Sequence, residues 1–84
     1  MDRRNGKELD TIQVGEDPRQ IARGFGSLWV TNHGANSVTR IDERTGKIVG
    51  SAIPVGDEPI GIATGAGSVW VANHESNTVT RIQP

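Results

Sequence analysis

The feature that most constrains this chain is that it repeats itself at a spacing of 41 residues. Trp29 and Trp70, Pro18 and Pro59, and His33 and His74 are all separated by that interval. Val14-Gly15-Glu16-Asp17-Pro18 answers to Val55-Gly56-Asp57-Glu58-Pro59. Ser27-Leu28-Trp29-Val30-Thr31-Asn32-His33 answers to Ser68-Val69-Trp70-Val71-Ala72-Asn73-His74, and Ser37-Val38-Thr39-Arg40-Ile41 to Thr78-Val79-Thr80-Arg81-Ile82. The match runs without a gap from Ile12 to the C-terminus. Upstream, Asp2 and Gly6-Lys7 align with Asp42 and Gly46-Lys47 at a spacing of 40, so residues 2–14 read as the tail of a preceding copy. Self-similarity at a fixed period means that each copy is one supersecondary unit, unable to bury its apolar faces alone.

Within a copy the pattern is one of short strands. A first strand is expected over Gln20–Arg23 and Gly61–Thr64, followed by the glycine-rich turns Gly24-Phe25-Gly26 and Gly65-Ala66-Gly67, where positive φ is cheap. The second strand, Leu28–Thr31 and Val69–Ala72, is almost continuously apolar, which predicts cover on both faces. The turn Asn32-His33-Gly34-Ala35-Asn36 leads to a third strand over Ser37–Ile41 and Thr78–Ile82. After Asp42-Glu43-Arg44-Thr45-Gly46 a fourth strand is expected over Lys47–Ile53, with Lys7–Val14 as its N-terminal counterpart. No window carries helical apolar spacing, so no helix is expected.

Four antiparallel strands at a period of about 40–45 residues predict an all-β fold of β-propeller type. With strands lettered a to d from the axis outward, the chain reads d-abcd-abc. Residues 1–84 are then one propeller fragment: 2–14 the outer strand of a preceding blade, 15–54 one four-stranded antiparallel blade, and 55–84 a second lacking its outer strand. The motif from Val14-Gly15 through Pro18, Ile21-Ala22, Gly26-Ser27-Leu28-Trp29-Val30-Thr31-Asn32 and Val38-Thr39-Arg40-Ile41-Asp42 resembles YVTN and NHL-type repeats. It is most similar to the blades of virginiamycin B lyase-like propellers. The Trp residues are followed by Val in the second strand, unlike a WD repeat.

Two blades are an incomplete ring, since propellers close with about four to eight. Cysteine is absent, which removes disulfides and thiolate metal sites as staples for so short a chain. Association is the remaining device. Strand 7–14 of one copy could complete the open blade of the next, and such head-to-tail contacts close into rings. The expected partner is therefore the chain itself, as a homo-trimer or homo-tetramer. The alternative is a slice of a longer propeller. Nine basic and ten acidic residues leave no electrostatic footprint for nucleic acid. No apolar run reaches membrane-spanning length, and no basic stretch followed by an apolar core opens the chain as a signal peptide would. The compartment is not indicated.

On a propeller, the loops joining b to c and d to a share one face near the channel mouth. That face would gather the candidate ligand-binding residues Asn32, His33, Asn73, His74 and Arg19. His33 and His74 obey the repeat, which favours turn-closing bonds from ring nitrogen to backbone over catalysis. Asp17 and Glu58, in the pairs Glu16-Asp17 and Asp57-Glu58, are weak metal candidates, with turn formation the simpler role. Trp29 and Trp70 fit packing between blades rather than ligand stacking. Arg40 and Arg81 fit ion pairs at the blade edge. No nucleophile elbow or phosphate loop is present, and no catalytic residue is assigned. The regular repeat points to a non-catalytic scaffold or ligand-binding platform that needs no cofactor. The resemblance implies one enzymatic alternative, a metal-assisted lyase using Mg²⁺. A sensor or interaction domain within a larger bacterial protein is the third expectation.

Overall fold

The computed structural model describes residues 11–84. These residues form two antiparallel sheets. The first contains β1 (Pro18–Gly24), β2 (Ser27–Asn32), β3 (Ser37–Asp42) and the short β4 (Ile53–Pro54), in that spatial order. The second contains β5 (Pro59–Gly65), β6 (Ser68–Asn73) and β7 (Thr78–Ile82). The one helical feature among the described residues is a single 3-10 turn, His33–Ala35, which the apolar pattern did not announce. No helix among them is long and apolar enough to cross a membrane.

The repeat in sequence is a repeat in backbone conformation. Pro18 pairs with Asn32 and Pro59 with Asn73, and each pairing is followed by a bulge before the ladder resumes. Positive φ recurs at equivalent places even where the residue changes: Asp17 and Glu58, Phe25 and Ala66, Asn36 and Asn77. The β1–β2 and β5–β6 connections are two-residue loops, Phe25-Gly26 and Ala66-Gly67, with positive φ at both positions. That conformation matches the right-handed twist of a hairpin, and only the second position in each is glycine.

The fourth strand is shorter than expected. Over Lys47–Ile53 the chain makes one bridge, Ile48 with Ile41, before β4 pairs Ile53 and Pro54 with Val38 and Ser37. Between these pairings the outer segment advances five residues against three on β3, and Gly50 at φ 68° takes up the excess. Extra residues on one strand bend it and interrupt its ladder. Of the expected outer strand 7–14, residues 7–10 lie outside the described residues, and residues 11–14 carry no strand.

The core lies between the two sheets. Trp29 and Val38 from the first pack with Val69, Val71 and Ile82 from the second, with Ile53, Val55 and Ile62 around them. Equivalent residues are therefore not in equivalent environments. Trp29 is fully buried and Trp70 is 37% exposed, while Val38 is fully buried and Val79 is 66% exposed. The asymmetry reverses on the opposite face: Ile62 packs against the core, and its counterpart Ile21 is 59% exposed. Trp29, Val38 and Ile62 are covered where the other sheet lies against them, whereas Val30, the counterpart of Val71, is buried without belonging to that cluster.

Arg40 and Arg81 are not edge ion pairs among the described residues. Each donates from Nε to a serine hydroxyl, Ser27 and Ser68, at 2.8 Å. Each guanidinium also lies over the tryptophan of its own copy, 4.8 Å from the Trp29 centroid and 5.5 Å from that of Trp70. Position explains this: Arg40 pairs with Trp29 across β2 and β3, which sets its guanidinium beside the indole. The indole N–H groups donate to the carbonyls of Gly24 and Gly65.

The burial asymmetry gives a direct expectation. Trp29→Ala should cost about 3–5 kcal/mol, as for a large core aromatic, a loss comparable with the whole stability of a small domain. Trp70→Ala, measured in dilute solution, should cost well under half as much. Urea unfolding followed by circular dichroism compares the two, and equal losses would contradict the packing described.

Candidate functional site

The polar residues that the repeat sets apart gather at one end of the two sheets, where the 3-10 turn and its counterpart meet the loops before β1 and β5. Local backbone bonds build this end. His33 N donates to Asp17 O at 2.9 Å and Gly34 N to Glu16 O at 3.1 Å; His74 N to Glu58 O and Glu75 N to Asp57 O repeat the pattern at 3.0 and 3.3 Å. The acidic pairs are thus turn residues first, with Asp17 and Glu58 at φ 52° and 51°.

Their side chains then reach the imidazoles. His33 Nδ1 lies 3.2 Å from Asp17 Oδ2, and its Nε2 lies 3.0 Å from Glu58 Oε1. The ring nitrogens face carboxylates, one from each sheet, instead of the backbone acceptors expected from turn chemistry. The turn's own amides already satisfy the local carbonyls, which leaves the ring free to bridge the sheets. His74 is exposed, and its nearest ion-pair partner, Glu75, is 4.0 Å away. Arg19 holds Asp17 by two bonds, Nε to Oδ1 at 3.2 Å and Nη2 to Oδ2 at 3.1 Å. This guanidinium, with a smaller contribution from His33, holds the Asp17 carboxyl below its ordinary value.

Asn32 and Asn73 sit differently from the other candidates. Both are buried. Asn32 Nδ2 donates to Ser37 Oγ at 3.2 Å and Thr39 Oγ1 at 2.8 Å, and its Oδ1 accepts from Gly15 N at 3.1 Å. Asn73 Nδ2 donates in the same way to Thr78 and Thr80, with Oδ1 left without a protein partner. These amides knit the strand ends together, and Asn73 also lines a surface pocket beside His74 and Asn77. A Cβ on Gly15 or Gly56 would come within 3.0 Å of the asparagine side chain, so both positions require glycine for this approach.

The cleft between the copies is lined by His33, Gly34 and Asn36 on one side and Asp57, Glu58 and Glu75 on the other. Asn36 closes its floor, accepting from Val55 N through its carbonyl at 3.0 Å and from Glu58 N through Oδ1 at 2.9 Å. One oxygen or nitrogen each from Glu58, His74 and Glu75 lies within 4.8 Å of the others. One imidazole with two carboxylates suits a transition-metal divalent ion better than Mg²⁺, which prefers oxygen donors. Of the two weak metal candidates, Asp17 is engaged by Arg19 and His33, and Glu58 belongs to this group of three. Among the described residues the imidazoles face carboxylates and not hydroxyls, so the pairing that activates a nucleophile is not assembled there.

Further bonds tie the sheets together: Thr31 Oγ1 to Ile60 O at 3.2 Å, Ile62 N to Gln20 Oε1 at 3.3 Å, and Thr64 Oγ1 to Arg23 O at 2.9 Å. Gln20, Thr31 and Thr64 were not singled out by sequence reasoning. The available signal was that they depart from the repeat, facing Gly61, Ala72 and Arg23 in the other copy. No protein-family model matches the chain, and no curated protein matches it.

Two expectations follow from the polar end and its carboxylates. Asn32→Ala strands the Gly15 amide and should cost about 1–3 kcal/mol of folding stability, measurable by urea titration without any ligand. Asp17 and Asp42 carry lowered pKa values. For Asp42 the cause is the backbone N–H groups of Thr45 and Arg44 donating to its Oδ1 at 3.2 and 2.8 Å. The unfolded chain binds more protons at these groups, so their contribution is complete above the unfolded value of about 4 and is lost as pH falls. The thermal midpoint should therefore drop as pH falls from about 5 to about 2, and Asp42→Asn, which does not titrate, should narrow that drop.

Proposed function

We propose that this chain is a non-catalytic β-propeller repeat module, two adjacent blades of a scaffold whose turn-side face serves as a binding platform. Its open faces are completed by the same repeat in further copies of the chain, three or four of them closing a ring. What supports this reading is the burial asymmetry at equivalent positions. The face carrying Trp29 and Val38 fits the face carrying Ile62, Val69 and Val71, and among the described residues the same two kinds of face recur exposed at Trp70, Val79 and Ile21. The interface between the sheets is thus a template that its own outer faces repeat. Among the described residues no strand pairs with the outer edge of β7, next to exposed apolar side chains, and such an edge is also a site for strand pairing.

Such an assembly would repeat the His33–Asn36 turns around one axis and build a polar rim from otherwise weak elements. The competing reading, a metal-assisted lyase, draws on Glu58, His74 and Glu75. Millimolar Mn²⁺ or Mg²⁺ that raises the unfolding temperature would favour it, and no shift with either ion would favour the scaffold.

Light scattering should return three or four times the mass of the chain. Val79→Asp, which places a charge on the exposed trailing face, should return the monomer with its circular dichroism unchanged. A folded wild-type monomer at every concentration up to about millimolar would overturn the assembly.

A further inference from the structure

The residues that break the repeat at the turn-side end are themselves complementary. Arg19 stands where the second copy has Ile60, and Glu75 stands where the first has Gly34. Gly34 lines the cleft between the sheets opposite Glu58, the counterpart of Asp17, and Arg19 is bound to Asp17. Superposing the internal junction on the open faces puts Glu75 in Gly34's place and brings an Arg19-bound Asp17 into Glu58's place. The internal cleft has no arginine among its lining residues; the cleft made with a second copy would have one facing Glu75.

Resting on the stacking reading above, we infer that Glu75 pairs with Arg19 of the partner subunit across a clasp particular to the junction between chains. The neighbouring contacts of that clasp follow the internal template. His74 takes the part of His33 and approaches Asp17 of the partner subunit, as His33 Nε2 approaches Glu58 at 3.0 Å. Asn77 takes the part of Asn36 and accepts from the amide of that Asp17, as Asn36 Oδ1 accepts from Glu58 N at 2.9 Å. Asn77 already holds the conformation this requires, with φ 54° against 51° for Asn36.

Two of the other junction bonds have no counterpart: Ala72 has no hydroxyl for the bond made by Thr31, and Gly61 has no side-chain amide for the one made by Gln20, while Arg23, paired with Glu43, stands where Thr64 does. Polar specificity between chains therefore shifts from the middle of the strands to the turn-side end, where an ion pair absent from the internal junction is added. The clasp selects a first-copy sheet as the occupant, because a second-copy sheet offers Ile60 where the arginine is needed.

The test is a charge exchange read by sedimentation equilibrium of the full chain. Glu75→Arg and Arg19→Glu should each weaken association by about fivefold to tenfold, and the double variant should recover to within about threefold of the wild type. Asn77→Gly removes the acceptor while keeping positive φ accessible, and should weaken association without changing the monomer's unfolding midpoint. Raising salt from about 0.1 M to about 1 M should weaken the wild type more than the Glu75→Gln variant. If Val79→Asp disrupts the assembly but the charge variants and Asn77→Gly leave it intact, the clasp is wrong and the stacking reading stands. Single variants that weaken association without recovery in the double variant also overturn the Glu75–Arg19 pair. A wild-type chain that never associates removes both.

Discussion

Everything in this fold depends on a sheet with two apolar faces needing a neighbour on each. Trp29 is where that constraint is satisfied. Its ring lies between the sheets against Val69 and Val71, its N–H is spent on the Gly24 carbonyl, and Arg40 lies over its ring. Nothing polar is left unpaired in bringing this large side chain out of water, so its burial contributes without a compensating desolvation cost. Trp70 has the same local partners, Gly65 and Arg81, and remains partly exposed because among the described residues no sheet lies beyond it. The local geometry of the tryptophan is therefore a property of the repeat, and its burial is a property of the stack.

The polar end is organised on the same principle at shorter range. Asn32 and Asn73 tie two strands and the approach loop within a copy, a role completed in the first copy by the Gly15 amide. His33 acts between copies, with Asp17 on one nitrogen and Glu58 on the other. A side chain that closes its own turn through its backbone amide can offer its ring elsewhere. This explains why a residue obeying the repeat can still be the contact that joins two repeats.

Much of the architecture was legible because turn conformation is written in short strings. The glycine-rich turns and the strands on either side follow from glycine, proline and apolar runs at fixed offsets, whereas the bulges after Pro18 and Pro59 were not foreseen. The outer segment was harder to place, because Lys47–Ile53 carries strand-like residues while Gly50 turns the chain out of register. At the candidate site, the gathering of Asp17, His33, Glu58 and His74 at one end was legible from the alternation of turns. The inward commitment of Asn32 was not. An asparagine in a turn string looks the same whether its amide faces solvent or a serine and a threonine five and seven residues on. Arg40 was misread for a similar reason, since its spacing from carboxylates says nothing about the indole across the ladder.

The amino-acid order alone determined the period of 41, the positions of the turns and the all-β character, because these rest on backbone preferences spanning only a few residues. Only the tertiary structure decided which copy of each equivalent pair is buried and which imidazole joins the sheets. It also showed that the cross-sheet bonds use Thr31, Gln20 and Thr64, which stand where the other copy has Ala72, Gly61 and Arg23. Two nearly identical strings encode the same local structure, whereas burial depends on what lies next to each one, and neighbours more than 40 residues apart are set by packing.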